Sequence, residues 1–297
     1  MKKMIDLHIH TNVSDGALSP KEVIDEAFKN GVSIIAIADH DTIDAYNVEL
    51  FDYAKEKGIQ IINAVEISTK IDKAGIHVLG YNFDMNNQDL KKTLFLLRNS
   101  RHIYLHDVAL KLEELGYVLN VEELDKIDSV TKAHIARDII GNKENEQILI
   151  KNFGYVPDMG EFIESVMNEG CPAYVRKATI TPKEAADLIR KAGGRVILAH
   201  PVAYKYEDNL VEQDILNIVN EIKPDGIEVY YIYFDRNNNK IDEIEKWKTF
   251  AEEHNLIVTI GSDFHNKEGN YREIGLINEK IDLTNDEVDN IIKSLCN

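Results

Sequence analysis

The chain has 297 residues, 44% of them hydrophobic, enough for one large α/β domain or a domain carrying an insertion. Its 34 basic and 52 acidic residues give a formal charge of −18, which excludes a general electrostatic track for long nucleic acid and requires a local positive centre to draw any anionic ligand. Cys171 and Cys296 have no paired spacing, the first strand begins almost at once and no apolar run approaches membrane-spanning length, so a disulfide framework, a signal peptide and a membrane anchor are not expected and a cytoplasmic setting is.

The first predicted element is a strand in which Ile5, Leu7 and Ile9 alternate with Asp6, His8 and His10, placing both imidazoles on one face. Two histidines at i and i+2 on a strand can converge on one ion, and Asp15, just before Gly16, lies within reach of a second. An isolated pair of this kind would be read as a half-buried edge strand. Here the pattern recurs.

Ser19-Pro20 opens a helix with Val23, Ile24, Ala27 and Phe28 on its inner face, ended by Asn30-Gly31. A second strand, Ile34 to Ala38, delivers Asp39 and His40; Asp39 and Asp41 are expected as supporting acceptors or as a cap for a helix around Asp44 to Lys57. A third apolar run, Ile59 to Val65, leads to Glu66, a costly carboxylate placement unless it meets a cation, which its two oxygens could share with another. The alternating order predicts a parallel sheet or barrel as far as residue 81. From Gln88 onward Leu90, Leu94, Leu97, Ile103, Val108, Leu112 and Leu115 recur at helical spacing, and helix-like sequence continues to about Gly170. The chain thus divides into a barrel part over 1–97, a mostly helical insertion over 98–175 that would cover the barrel mouth, and a second barrel part over 176–297.

Barrel grammar returns with a helix from Thr181-Pro182 to Lys191, a strand Arg195–Ala199 that presents His200, and another strand in Asp225 to Tyr230. A helix containing Ile241, Ile244, Trp247, Phe250 and Ala251 leads to the strand before Asp263 and His265, and a last helix is capped by Thr284 or Asn285. With His77 in a short apolar run, the candidate ligands are His8, His10, Asp15, His40, Glu66, His77, His200, Asp263 and His265. Most close a strand, where barrel enzymes keep their active sites.

Other signals carry less. His102 and His106 share a helix face but have no third ligand nearby in sequence. Asp235, Asn237 and Asn239 imitate an EF-hand loop, yet Lys240 and Lys246 replace the required Gly and Glu. Neither a phosphate-binding P-loop nor a dinucleotide fingerprint occurs.

Taken together, Asp6-Leu7-His8-Ile9-His10, Asp15-Gly16, Ala38-Asp39-His40-Asp41-Thr42, Glu66, His77, Leu198-Ala199-His200-Pro201 and Gly261-Ser262-Asp263-Phe264-His265 resemble the motifs of the polymerase and histidinol phosphatase (PHP) superfamily, in that family's order. The resemblance implies a distorted (β/α)7 barrel with a trinuclear metal site. His8, His10, Glu66 and Asp263 would hold one ion, Asp15, His40 and His265 a second, and Glu66, His77 and His200 a third. Asp15 stands where some relatives have His. Segments around Ala133-His134-Ile135-Ala136-Arg137 and Tyr174-Val175-Arg176-Lys177 resemble the branch acting on nucleoside bisphosphates and short RNA, which implies phosphate contacts from His134, Arg137 and Lys177.

Imidazole and carboxylate ligands suit Mn²⁺, here favoured, and also Fe²⁺ or Zn²⁺, and three such ions would leave the site at about +3 inside an acidic shell. Ions in such a shell lower the pKa of water and neutralise phosphate oxygens, so phosphate ester hydrolysis is the expected reaction, with Asp15, His40, Glu66, His200 and Asp263 around the reacting centre. The expected substrate is a small phosphorylated nucleotide or short oligonucleotide. The rival readings are a histidinol-phosphate phosphatase, a catalytically silent PHP binding module and a metal-dependent amide hydrolase.

Overall fold

The structure, a computed structural model, describes all residues except 1, 73, 128–129, 176–178, 236, 238, 267–272, 276, 278–280, 282 and 297, and the side chain of residue 101. The chain forms two compact units, one of Met1–Leu94 with Thr179–Asn297 and one of Phe95–Ala178.

In the first unit, β1 (Ile5–Ile9), α1 (Pro20–Lys29), β2 (Ile34–Ile37), α2 (Val48–Glu56) and β3 (Gln60–Ile61) alternate, and the three strands pair in parallel in the order β1-β2-β3. Parallel neighbours need a crossover helix, and α1 is built for the task. Ser19 accepts from the Glu22 amide while the Glu22 carboxylate takes the Ser19 amide, and Val23, Ile24 and Ala27 are buried. Phe28, expected on the inner face, is instead 56% exposed, with Lys57 over its ring. α2 is capped by Asn47, not by Asp39 or Asp41.

The predicted third strand splits into β3 and the longer β4 (Ala64–Ile71), which continues past Glu66 into β5 (Ala74–Tyr81). Only two residues separate β4 from β5, with Asp72 at φ +49°, so β5 folds back antiparallel. The all-parallel expectation fails here because a crossover would need about a dozen residues. α3 (Gln88–Glu114) runs from this unit into the second.

The second unit is helical: α4 (Val121–Leu124), α5 (Lys132–Gly141), a 3₁₀ turn at Lys143–Asn145, α6 (Glu146–Phe153), α7 (Met159–Phe162) and a π turn at Ile163–Met167. Its core gathers Leu105, Leu112, Ile135, Ile139, Leu149 and Phe162, with Tyr117 edge-on to Phe162 at 5.4 Å between ring centres.

The chain then returns through α8 (Pro182–Lys191), β6 (Arg195–Leu198), α9 (Pro201–Glu207), α10 (Glu212–Ile222), β7 (Gly226–Tyr230), β8 (Tyr233–Phe234), β9 (Lys240–Ile241), α11 (Ile244–Glu253), β10 (Ile257–Ile260) and α12 (Asn285–Cys296). Strands β10-β7-β6-β5-β4 form a five-stranded mixed sheet, parallel from β10 to β6 and antiparallel from β6 to β4. Ile241, expected on a helix, pairs with Tyr233 in the β8–β9 hairpin, whose turn is organised by Asp235 accepting from the amides of Asn237 and Asn239 at 2.8 Å. Isolated parallel bridges tie Ile9 to Phe264 and His40 to Glu66, so the three-stranded and five-stranded sheets meet at β1 and again at β2. The fold is α/β with mixed sheets.

Phe162→Ala should lower the stability of the second unit by about 3–5 kcal/mol, measured by urea denaturation, because it empties a fully buried aromatic site. Phe95→Ala, at a position 61% exposed, should change it by less than about 0.5 kcal/mol. Equal effects would contradict this assignment of the core.

Candidate metal centre

Each candidate ligand owes its position to a strand or the turn just beyond one. His8 lies in β1 and His10 one residue after it; both are fully buried, although alternation alone suggested a polar face. The loop that carries Asp15 curls back so tightly that a Cβ on Gly16 would sit 2.4 Å from the His10 carbonyl oxygen, which only glycine allows. His40 follows β2, His200 begins α9 just after β6, and Asp263 and His265 follow β10. Glu66 and His77 come from the antiparallel hairpin instead. Ser68 pairs with His77, so Glu66, two residues from Ser68, shares that face and is a diagonal neighbour of His77.

The side chains converge in three groups: His8, His10, Glu66 and Asp263; His10, Asp15, His40 and His265; and His40, Glu66 and His77. Glu66 is fully buried, and its oxygens face different partners. Oε1 lies 2.9 Å from His77 Nδ1 and 3.1 Å from His200 Nε2, whereas Oε2 lies 3.1–3.3 Å from His40 Nδ1, His10 Nε2 and His8 Nε2. Asp263 Oδ1 is 3.2 Å from His10 Nε2, and Asp15 Oδ1 is 3.4 Å from His265 Nε2.

Such crowding couples the charges. Burial opposes the ionised form of Glu66 and Asp15, but the surrounding imidazoles outweigh it and hold both carboxyls well below the ordinary range. Burial likewise opposes protonation of His10, yet Asp263 and Glu66 push it up to about 10. His40 goes the other way, to about 3, because burial with His10 and His77 beside it outweighs Glu66 and Asp15. His8 and His77 are raised by their carboxylate neighbours against the effect of burial.

The donor set fits divalent cations. His8 Nε2 and His10 Nε2 approach to 3.1 Å, and His10 Nδ1 and His200 Nδ1 are buried without a hydrogen-bond partner among the described residues. Nitrogen and oxygen lone-pair donors gathered this closely are what a metal ion satisfies.

Several supporting residues escaped the sequence reading. Asp6 accepts from the Ser262 amide at 2.9 Å and the Gly275 amide at 2.8 Å, and burial pushes its carboxyl up to about 6. Tyr231 donates its hydroxyl to Asp263 Oδ2 at 3.0 Å, and Glu228 sits against His8 and the His200 amide. The one signal for Glu228 was a carboxylate inside an apolar strand, the same sign that marked Glu66. Asp39 and Asp41, by contrast, are the supporting acceptors expected from the sequence: Asp39 accepts from the Thr11 amide and from the hydroxyls of Thr11 and Ser14, and Asp41 accepts from the Ser68 amide.

The proposed phosphate contacts belong to the second unit. His134 closes a capping box with Thr131 at the start of α5, and with Arg137 it lines a cleft of about 520 Å³. Lys177 lies outside the described residues. His102 and His106 do meet a third polar group, Asp125, at 3.2 and 2.9 Å, but their nitrogens contact separate oxygens of that carboxylate.

A "5'-3' exoribonuclease" from Haemophilus influenzae is 32% identical over 89% of this chain and 91% of its own length. A "3',5'-nucleoside bisphosphate phosphatase" from Chromobacterium violaceum is 29% identical over 91% and 90%. Among solved structures, a Chromobacterium violaceum amidohydrolase holding sulfate and no metal superposes with a TM-score of 0.71 at 27% identity, covering 91% of this chain and 89% of that one. A Bifidobacterium adolescentis structure, 23% identical, has the same fold with a TM-score of 0.76 over 98% and 96%. The model of the PHP domain matches residues 6–194. That match, together with relatives aligned over nearly their whole length, makes this chain a member of the PHP domain family.

Proposed function

We propose that the chain is a metal-dependent phosphoesterase that hydrolyses phosphate esters of small nucleotides, either 3',5'-nucleoside bisphosphates or 5'-phosphorylated short oligonucleotides. The observation that carries this reading is the buried Glu66, whose two oxygens face separate groups of imidazoles. A buried carboxylate among so many lone-pair donors needs cations, and clustered cations suit an ester that is already anionic. The activities for which the two relatives are named, one on RNA and one on nucleoside bisphosphates, support the same class of substrate.

In this reading β1, β2, β4, β5, β6, β7 and β10 act as the seven staves of a distorted barrel, closed at the two bridges Ile9–Phe264 and His40–Glu66. His8, His10, Glu66 and Asp263 hold one divalent ion, Asp15, His40 and His265 a second, and Glu66, His77 and His200 a third, with Mn²⁺ favoured. Bound ions supply charge neutralisation at phosphate oxygens and a lowered pKa for water. The chain's own residues fix where that happens. Glu66 keeps the groups in register, Asp15 and Asp263 set the charge on either side, His40 completes the second group, and His200 assists the departing alkoxide. His134, Arg137 and Lys177 are carried forward from the family resemblance as phosphate contacts, and the Arg137→Ala comparison below tests this.

Elemental analysis after Mn²⁺ reconstitution should find up to three ions per chain, and no more than one would contradict the trinuclear assignment. Glu66→Ala should lower both metal content and turnover, the latter by more than the roughly 10- to 100-fold typical of losing a supporting contact, whereas His102→Ala should leave both nearly unchanged. Similar losses in the two variants would mean that the centre lies elsewhere.

Substrate class is tested by comparing histidinol phosphate, a 3',5'-bisphosphorylated nucleoside and a 5'-phosphorylated short RNA under one Mn²⁺ condition, in wild type and Arg137→Ala. The nucleotides should have the higher kcat/KM, and Arg137→Ala should reduce it for them by about 10-fold or more, the loss of one charged hydrogen bond. A preference for histidinol phosphate with a silent Arg137→Ala would replace this reading by the histidinol-phosphate one.

A further inference from the structure

Glu228 is as deeply buried as Glu66 but stands outside the groups of candidate ligands. It lies at the centre of β7, paired with Thr259 of β10, and its side chain has no exposure. Its Oε1 and Oε2 lie 3.1 and 3.2 Å from His8 Nδ1, and Oε2 also accepts from the His200 backbone amide at 3.0 Å. One carboxylate therefore joins the ring of one candidate ligand to the main chain of another. These two ligands come from different strands, β1 and the turn after β6.

Room for this contact is reserved by Gly261. A Cβ there would fall 2.3 Å from Glu228 Oε1 and 2.3 Å from the His8 Cβ, so any side chain would push the pair apart. A carboxylate can only accept, which requires His8 to carry its proton on Nδ1. The other nitrogen, Nε2, is then left facing His10 Nε2 at 3.1 Å, Glu66 Oε2 at 3.3 Å and Asp263 Oδ1 at 3.6 Å. A ligand histidine oriented through its second nitrogen by a carboxylate is both fixed in tautomer and made a stronger donor.

We infer that Glu228 is a positioning residue: it holds His8 with Nδ1 protonated and Nε2 presented to the metal centre, and it anchors the His200 amide in the same frame. The inference rests on the reading of His8 and His200 as metal ligands. Glu228→Gln separates charge and acceptor capacity from shape. A glutamine offers one oxygen and an NH₂ in place of two oxygens; because both oxygen positions lie 3.1–3.2 Å from His8 Nδ1, either orientation sets an NH₂ donor against the Nδ1–H, and one of them also sets it against the His200 N–H, which is already a donor.

The probe is Zn²⁺ alone, titrated by chelator competition into wild type, Glu228→Gln and the packing control Thr259→Val, whose buried hydroxyl has no hydrogen-bond partner among the described residues. Glu228→Gln should bind Zn²⁺ about 10- to 100-fold more weakly, and Thr259→Val should match wild type. In ¹⁵N–¹H spectra of the Zn²⁺-loaded wild type, His8 should show a proton on Nδ1 and coordination through Nε2, a readout that stands even where the variant does not fold. Unchanged affinity in a folded Glu228→Gln protein, or coordination of His8 through Nδ1, would overturn the inference while leaving the metal centre intact. Failure of the wild type to bind Zn²⁺ would instead overturn the metal-centre reading on which it rests.

Discussion

The structure depends on one awkward placement, a carboxylate with no solvent exposure at the meeting point of five imidazoles. Burying Glu66 ionised is costly unless positive charge surrounds it, and imidazoles crowded this closely oppose one another's protonation, as His40 beside His10 and His77 shows. The geometry answers by bringing ring nitrogens to both oxygens, from β1, β5 and the turns after β2 and β6. Ring nitrogens packed too closely for all of them to take protons are the physical case for divalent ions at this place. The fold places the strand ends and the β4–β5 hairpin so that these demands meet.

Around the candidate ligands lies a second set of buried polar groups, each hydrogen-bonded to the backbone or side chain of a segment that bears one. Asp6 ties β1 to the segment of Ser262, Asp39 fastens the loop of Thr11 and Ser14 that leads to Asp15, and Tyr231 steadies Asp263. Glu228 does the same for His8 and His200. Ligands fixed in this way do not have to be ordered when an ion or a phosphate arrives, so less of the interaction is lost to side-chain entropy. The same acidic supports contribute to the net charge of −18.

Much of this was readable from the chain. His8, His10, His40 and His200 stand out because a polar ring at the end of a β-branched run has few structural uses, and Glu66 stands out for the same reason. The strand polarity of β5 was not readable, since it turns on a two-residue connection at Asp72 that local patterning does not distinguish from the start of a longer loop. Ile241 kept helical spacing with Ile244 yet pairs with Tyr233, because the Asp235 turn captures it first. Glu228 looked like one charged residue in a strand, and its role appears only when β1 and the turn after β6 are brought beside β7. His134 shows the reverse: its ring serves the first turn of α5, a local duty that motif resemblance does not reveal.

The central claim is that Glu66 lies between ions rather than beside one. Anomalous diffraction from crystals soaked in Mn²⁺, collected at the manganese edge, tests it directly. The account expects separate peaks on the Oε1 side, near His77 and His200, and on the Oε2 side, near His8 and His10. A single peak touching only one oxygen of Glu66, or no peak within coordination distance of it, would contradict the account.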